Sequence, residues 1–230
     1  MSIQTLTQAE ENYLKVIFHA KLDSGIMSVS TNALAKSMQT KASSATDMVQ
    51  RLADKNLVNY QKYYGATLTE VGEQIALQVI RKHRLWEVFL VNTLDFTWDE
   101  VHEVAEQLEH IQSSKLINKI DHFLGFPLFD PHGDPIPNEY GIMPKRPESI
   151  SLIDAPLNQM LRIASVSDNS VEFLQYLDAQ QLHLGTTFSI TQKLSFDGSI
   201  NIQTLAGSLV LSNMAIAQIK VEICTSEVLL

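Results

Sequence analysis

With 230 residues, 45% of them hydrophobic and 19% charged, the sequence can bury a real core over two or three domains, and no apolar run is long enough to span a bilayer. A net charge of -9 and a pI near 5.2 exclude indiscriminate nucleic-acid binding, though not a local DNA contact. Cys224, the single cysteine, excludes an intrachain disulfide framework or cysteine-built zinc site, and a start without a charged, apolar leader (Met1, Ser2, Ile3, Gln4) adds to the expectation of a reducing cytoplasm.

The first predicted element is a helix over residues 7–20. Thr7 with Glu10 makes a capping box, and Tyr13, Leu14, Ile17 and Phe18 supply the apolar stripe. Residues 29–57 then read as a helix-turn-helix. Ser30 or Thr31 caps a short helix ending near Met38, Gln39 and Thr40 make the turn, and a second helix covers 41–55. That second helix buries Ala45, Met48, Val49 and Leu52 and presents Ser43, Ser44, Thr46, Asp47, Gln50 and Arg51 on its other side. Small hydroxyl and amide groups there can reach phosphates and base edges, as a recognition helix does in the major groove.

Residues 57–68 look like a hairpin with Gly65 at its turn, placed as a wing beside the recognition helix. Lys62 and Tyr63 are candidates for backbone contacts, and Lys36, Lys41 and Arg51 add a modest basic footprint suited to a dimer that sums two half-sites. A purely structural three-helix domain with a β-ribbon is the bland alternative.

Thr69 caps a long helix to about Asn92. On it His83 and Glu87 stand four apart, hence on one face. A second helical run over 98–111 places His102, Glu106, Glu109 and His110 at offsets that also stack, so imidazoles and carboxylates could converge on a divalent cation. The competing reading is two solvated helices with ordinary surface charge. A further helix covers 114–124, and Phe123, Leu124, Phe126, Leu128 and Phe129 are too apolar to leave wet, which favours a homodimer. The turn-rich stretch 126–141 carries Asp130 and His132. Beyond a linker, short alternating strands over 160–166, 187–194, 199–205, 209–211 and 219–223, with Gly185, Gly198 and Gly207 at turns, suggest a small barrel; a helix over 170–179 interrupts them.

The run TNALAKSMQTKASSATDMVQRLADKNLV, the wing ending YGATLTEVG, and RKHRLWEVFLV followed by WDEVHEVAEQLEHI resemble the diphtheria-toxin-repressor family over nearly the whole chain. The resemblance implies a mainly α fold with small β: a winged helix-turn-helix DNA-binding domain (1–72), a helical dimerisation and metal-binding domain (73–142), a linker (143–155) and an SH3-like β-barrel (156–230). It implies a metal-dependent transcriptional repressor, not an enzyme, that binds a palindromic double-stranded operator as a homodimer.

Two metal sites are implied. One would draw on Glu11 or Asn12 of the first helix with Glu106, Glu109 and His110, and His83 nearby. Iron-sensing relatives carry cysteine at the position of Glu106 and manganese-sensing ones glutamate, so carboxylate here favours Mn²⁺ over Fe²⁺, with Zn²⁺ or Co²⁺ as substitutes in vitro. Asn12 departs from the family's Asp or Met. The other site would use Glu87, His132, Asp130 in place of a cysteine, and Asp168, with His83 and His102 able to join or bridge; Asp168 could instead cap the following helix. Two rivals remain at this point: a metal-independent winged-helix DNA binder, and a metalloenzyme, against which stands the lack of a His-Glu-x-x-His helix or nucleophile elbow.

Overall fold

A computed structural model describes residues 6–24 and 28–224. The leader reading at Met1 to Gln4 falls outside the described residues. The chain forms two compact units, one of residues 1–83, 106–118 and 137–142, the other of 84–105, 119–136 and 143–230. Among the described residues no helix is long and apolar enough to cross a membrane.

The first unit begins with α1 (Gln8–Ser24), α2 (Thr31–Ser37) and α3 (Ala42–Asp54). The capping box forms as the spacing requires: Thr7 N donates to Glu10 Oε2 at 2.9 Å and Glu10 N to Thr7 Oγ1 at 3.3 Å. Ser30 caps α2 by accepting from Ala33 N at 3.2 Å. Leu14, Leu34, Ala45, Val49 and Leu52 are fully buried and hold the three helices together. Each such leucine contributes about 1.5–3 kcal/mol through removal from water.

The wing is β1 (Val58–Gln61) paired antiparallel with β2 (Gly65–Leu68). Gly65 does not form the turn, which falls on residues 62–64 with Tyr63 at φ 71°. It is instead the first residue of β2, at φ 101°, where a Cβ would lie 2.4 Å from the Val29 carbonyl oxygen. That close approach lets Val29 and Ala66 exchange two backbone hydrogen bonds of 2.9 Å, adding a short third strand to the wing.

Thr69 leads into α4 (Glu70–Leu94), accepting from Gly72 N at 3.1 Å. The helix continues from the first unit into the second, which receives its residues from Arg84 on. α5 (Val101–Leu108) is shorter than the periodicity predicted, because residues 98–100 and 109–110 are turns; α6 (Ser114–Phe123) follows.

The second unit carries β3 (Ile150–Ser151), β4 (Met160–Val166), α7 (Val171–Ala179), β5 (Thr187–Lys193), β6 (Ile200–Thr204), β7 (Ser208–Leu211), α8 (Asn213–Ile216) and β8 (Ile219–Ile223). The strands form one antiparallel sheet in the order β3-β8-β4-β5-β6-β7. Leu161, Ile163, Phe188, Ile190, Ile200, Ile202 and Val221 alternate into its core, where Leu174 and Leu177 of α7 join them. β3 and α8 were not predicted; two paired residues and a single turn leave no periodic trace.

Candidate metal centres and DNA-reading face

On α3 the buried stripe of Ala45, Val49 and Leu52 leaves Ser43, Ser44, Asp47, Gln50 and Arg51 exposed on the other side. Thr46 is half-buried, its hydroxyl donating to the Ala42 carbonyl at 2.8 Å. Met48, expected in the buried stripe, is only half-buried. Lys36, Lys41, Lys62 and Tyr63 are exposed, and Lys62 Nζ lies 5.2 Å from the Tyr63 ring centre. This face offers donors on a rigid helix and a cation at a projecting wing, the combination that reads a groove while holding its phosphates.

The first cluster lies within the first unit. α1 contributes Glu11 and Lys15, α4 contributes Lys82 and His83, and α5 with the turn after it contributes Glu106, Glu109 and His110. Glu109 has no solvent exposure, and His83 Nδ1 lies 2.7 Å from its Oε2. Lys15 Nζ lies 2.7 and 2.9 Å from the two Glu109 oxygens and 2.6 Å from Glu106 Oε1. Burial alone would raise the Glu109 pKa, but the His83 hydrogen bond and the Lys15 charge outweigh it and hold the carboxyl below its usual range. His110 Nδ1 is 2.6 Å from Glu11 Oε2, and Gln112 donates to Glu11 Oε1 at 2.8 Å. A donor atom of His83 also comes within 4.8 Å of one on Glu106. Asn12, beside Glu11, has a buried Oδ1 with no hydrogen-bond partner among the described residues.

The second cluster lies within the second unit. Glu87 of α4 meets Asp130 and His132 of the turn-rich loop, all three buried, with one donor atom of each within 4.8 Å of the others. The loop is fixed from three directions. Asp130 Oδ1 accepts from His132 N and Asp134 N at 2.8 and 2.9 Å, closing an Asx turn. Gly133, at φ 86°, lets the chain pass so near β4 that a Cβ would meet the Ala164 carbonyl at 2.3 Å. Val166 N then donates to the His132 carbonyl at 3.1 Å.

The His132 ring is oriented by its other nitrogen. Nε2 lies 2.9 Å from the Trp98 carbonyl oxygen, an acceptor only, so Nε2 carries the proton and Nδ1 keeps its lone pair in the neutral ring. That Nδ1 is buried, 3.8 Å from Glu87 Oε2, and makes no hydrogen bond among the described residues. Burial and the neighbouring Glu87 and Asp134 carboxylates push the Asp130 pKa up to about 7, against the Arg84 guanidinium 3.4 Å away. His102 Nδ1 lies 3.5 Å from Glu87 Oε1. Asp168 Oδ1 accepts from Ser170 N at 2.8 Å, at the N-cap of α7.

This donor set fits a divalent cation. Two buried carboxylates repel each other, an imidazole nitrogen 3.8 Å from one of them makes no hydrogen bond among the described residues, and all donors are oxygen or nitrogen. Sequence reasoning missed Lys15, Arg84 and Trp98. Lys15 sits four residues after Glu11, the spacing that could have revealed it, whereas the Trp98 contact is made by a main-chain oxygen and has no sequence signal.

Residues 5–66 match the model of the iron dependent repressor N-terminal DNA binding domain, residues 69–138 that of its metal binding and dimerisation domain, and residues 150–223 the FeoA domain. A solved structure described as a manganese-dependent transcriptional repressor complex with manganese is 36% identical, covers 94% of this chain and all of its own, and superposes with a TM-score of 0.85. The chain belongs to the iron-dependent repressor family.

The diphtheria toxin repressor of Corynebacterium efficiens, in this same iron-dependent repressor family, is 26% identical over 197 residues, 82% of this chain and 85% of that one. Iron-dependent repressors of this family are transcriptional regulators, so the metalloenzyme reading is set aside. The chain spans only a small part of two other curated relatives. It covers 19% of a probable metal transport system membrane protein of Chlamydia trachomatis, 40% identical over 86 residues, and 17% of its Chlamydia pneumoniae counterpart.

Proposed function

We propose that this chain is a transcriptional repressor that takes Mn²⁺, or Fe²⁺ as the alternative, as co-repressor and binds a palindromic operator as a homodimer in the cytoplasm. The observation that carries the reading is the first cluster's construction. Glu11 stands on α1, which packs against α2 and β2 of the DNA-reading head, while its companions Glu109 and His110 follow α5. Anything that binds these donors together favours the conformation in which α1, and with it α3, is fixed.

The donors proposed for the first centre are Glu11, Glu106, Glu109 and His110, with Asn12 and His83 adjoining. Glu87, Asp130 and His132 are proposed for the second, with His102 and Asp168 as outer contributors. A divalent cation held at each would draw its oxygen and nitrogen donors together. Carboxylate and imidazole donors without thiolate favour a hard ion, hence manganese over iron. Domain limits at 72, 142 and 155 are proposed alongside.

Elemental analysis of protein purified without chelator, joined to a gel-shift series with Mn²⁺, Fe²⁺, Zn²⁺ and Co²⁺ on an operator selected from random duplexes, tests this. The expected result is manganese-dependent retention of the duplex. Retention indifferent to every metal would reduce the protein to a constitutive DNA binder.

A further inference from the structure

Both clusters hold a buried cation, Arg84 at 3.4 Å from Asp130 in the second and Lys15 in the first, but only Lys15 spans two of the proposed ligands. In the second, the buried His132 Nδ1 has no hydrogen-bond partner among the described residues. In the first, an ammonium group already stands among the donors. Lys15 Nζ is 2.6 Å from Glu106 Oε1 and 2.7 and 2.9 Å from both oxygens of Glu109. The Lys15 side chain is 11% exposed and the Glu109 side chain fully buried, so this cation is held inside the protein. Its reach spans two carboxylates on the far side of the cluster from its own helix, as a metal ion's would.

We propose that Lys15 is a resident counter-ion of the first metal centre, one that a divalent cation must displace from Glu106 and Glu109 before it can bind. The inference rests on the proposed first centre and adds to it a residue that sets its threshold. Glu109 shows why displacement is needed. One of its oxygens faces Lys15 and the other faces both Lys15 and His83 Nδ1, the latter at 2.7 Å, so most of the carboxylate's roughly four acceptor sites are taken. A competing cation gains its own bonds to Glu106 and Glu109 only by giving up those of the lysine, and its net affinity is the difference.

The consequence is twofold. Metal-free protein keeps a neutralised first cluster and does not unravel there through carboxylate repulsion. The metal concentration needed to fill the centre is set above what the bare donors would require. A methionine at this position keeps the length and apolar stem of the side chain but offers no charge.

The test uses the full chain, stripped with chelator, and Mn²⁺ as the probe, with binding followed by calorimetry. Lys15→Met should bind Mn²⁺ at the first centre about tenfold more tightly or better, as expected when a charge competing for two carboxylates is removed. That gain should vanish when His110→Ala is added, which assigns it to the first centre. Melting should separate in the opposite sense: chelator-stripped Lys15→Met melts below the stripped wild type, and the manganese-loaded variant regains the difference. Lys15→Gln, which keeps an amide donor without charge, should show the same pattern and serves if the methionine variant folds poorly. Unchanged or weaker manganese binding in both variants, with normal binding by the wild type, would overturn the role of Lys15 alone. Failure of the wild type and both variants to bind any Mn²⁺ would overturn the proposed metal centre and this inference with it.

Discussion

His132 Nε2 lies 2.9 Å from the main-chain oxygen of Trp98, and the two rings stack with their planes 12° apart. A carbonyl cannot donate, so this single contact decides which ring nitrogen faces Glu87. His132→Ala should therefore weaken manganese binding at the second centre by at least about 100-fold while the first centre still takes its ion. Calorimetric stoichiometry checks this, and an unaltered two-site isotherm would contradict it.

Arg84 is buried at 4% exposure, with Nε 3.4 Å from Asp130, one terminal nitrogen 3.3 Å from Asp134 and the other donating to the Pro135 carbonyl at 2.5 Å. Asp134 also pairs with Arg146. Arg84→Met leaves Asp130 beside Glu87 without its counter-charge, and the metal-free protein should lose about 3–5 kcal/mol in urea unfolding. Added Mn²⁺ should return part of the loss, because the ion replaces the missing charge. A loss under about 1 kcal/mol would mean that Asp130 is carried neutral and needs no arginine.

Gly133 combines a left-handed backbone, φ 86°, with a neighbour that leaves no room: the Ala164 carbonyl oxygen stands 2.3 Å from where a Cβ would sit. Gly185 has a similar φ of 82° but nothing within 4 Å. Gly133→Ala should thus cost clearly more than Gly185→Ala, which bears only the conformational penalty of about 1 kcal/mol. Equal losses in chemical denaturation would show that the loop is free to move off β4.

Acid should loosen the start of α1. Burial acts to raise the Glu10 pKa, but Lys55, 2.6 Å away, and the Thr7 cap outweigh it and lower the pKa from its ordinary value of 4.5. A carboxyl depressed in the folded state contributes stability above the unfolded value, and that contribution is lost as pH falls through the folded value. Lys55→Met should then be less stable than wild type near neutral pH, with the gap narrowing as acid protonates Glu10. Paired urea titrations at neutral and acid pH read this out; a gap that widens in acid would contradict the sign.

Much of this was legible from residue order, for identifiable reasons. Periodicity placed α1 to α4 because their apolar stripes recur at helical spacing, and the Thr7–Glu10 capping box announced the start of α1. The four-residue offset put His83 and Glu87 on one face of one helix, but it did not show that His83 joins the first cluster and Glu87 the second. Lys15 shares a face of α1 with Glu11 by its four-residue offset, but its contacts with Glu106 and Glu109, 91 and 94 residues further on, are made only by packing. Gly65 was assigned to a turn on residue type, whereas its reason is the Val29 backbone passing beside it. Asp168 had two readings from sequence, and its described contact is with Ser170 N at the start of α7.

On the proposed mechanism, metal held by Glu106 and its companions sets the DNA-reading head. Anisotropy of a labelled operator, titrated with chelator-stripped and manganese-loaded protein, tests it most directly, with Glu106→Ala and His110→Ala alongside. Tight binding by the manganese-loaded wild type, weak binding by the stripped protein, and folded variants that no longer respond to manganese are expected. Equal grip by stripped and loaded wild-type protein would contradict that mechanism.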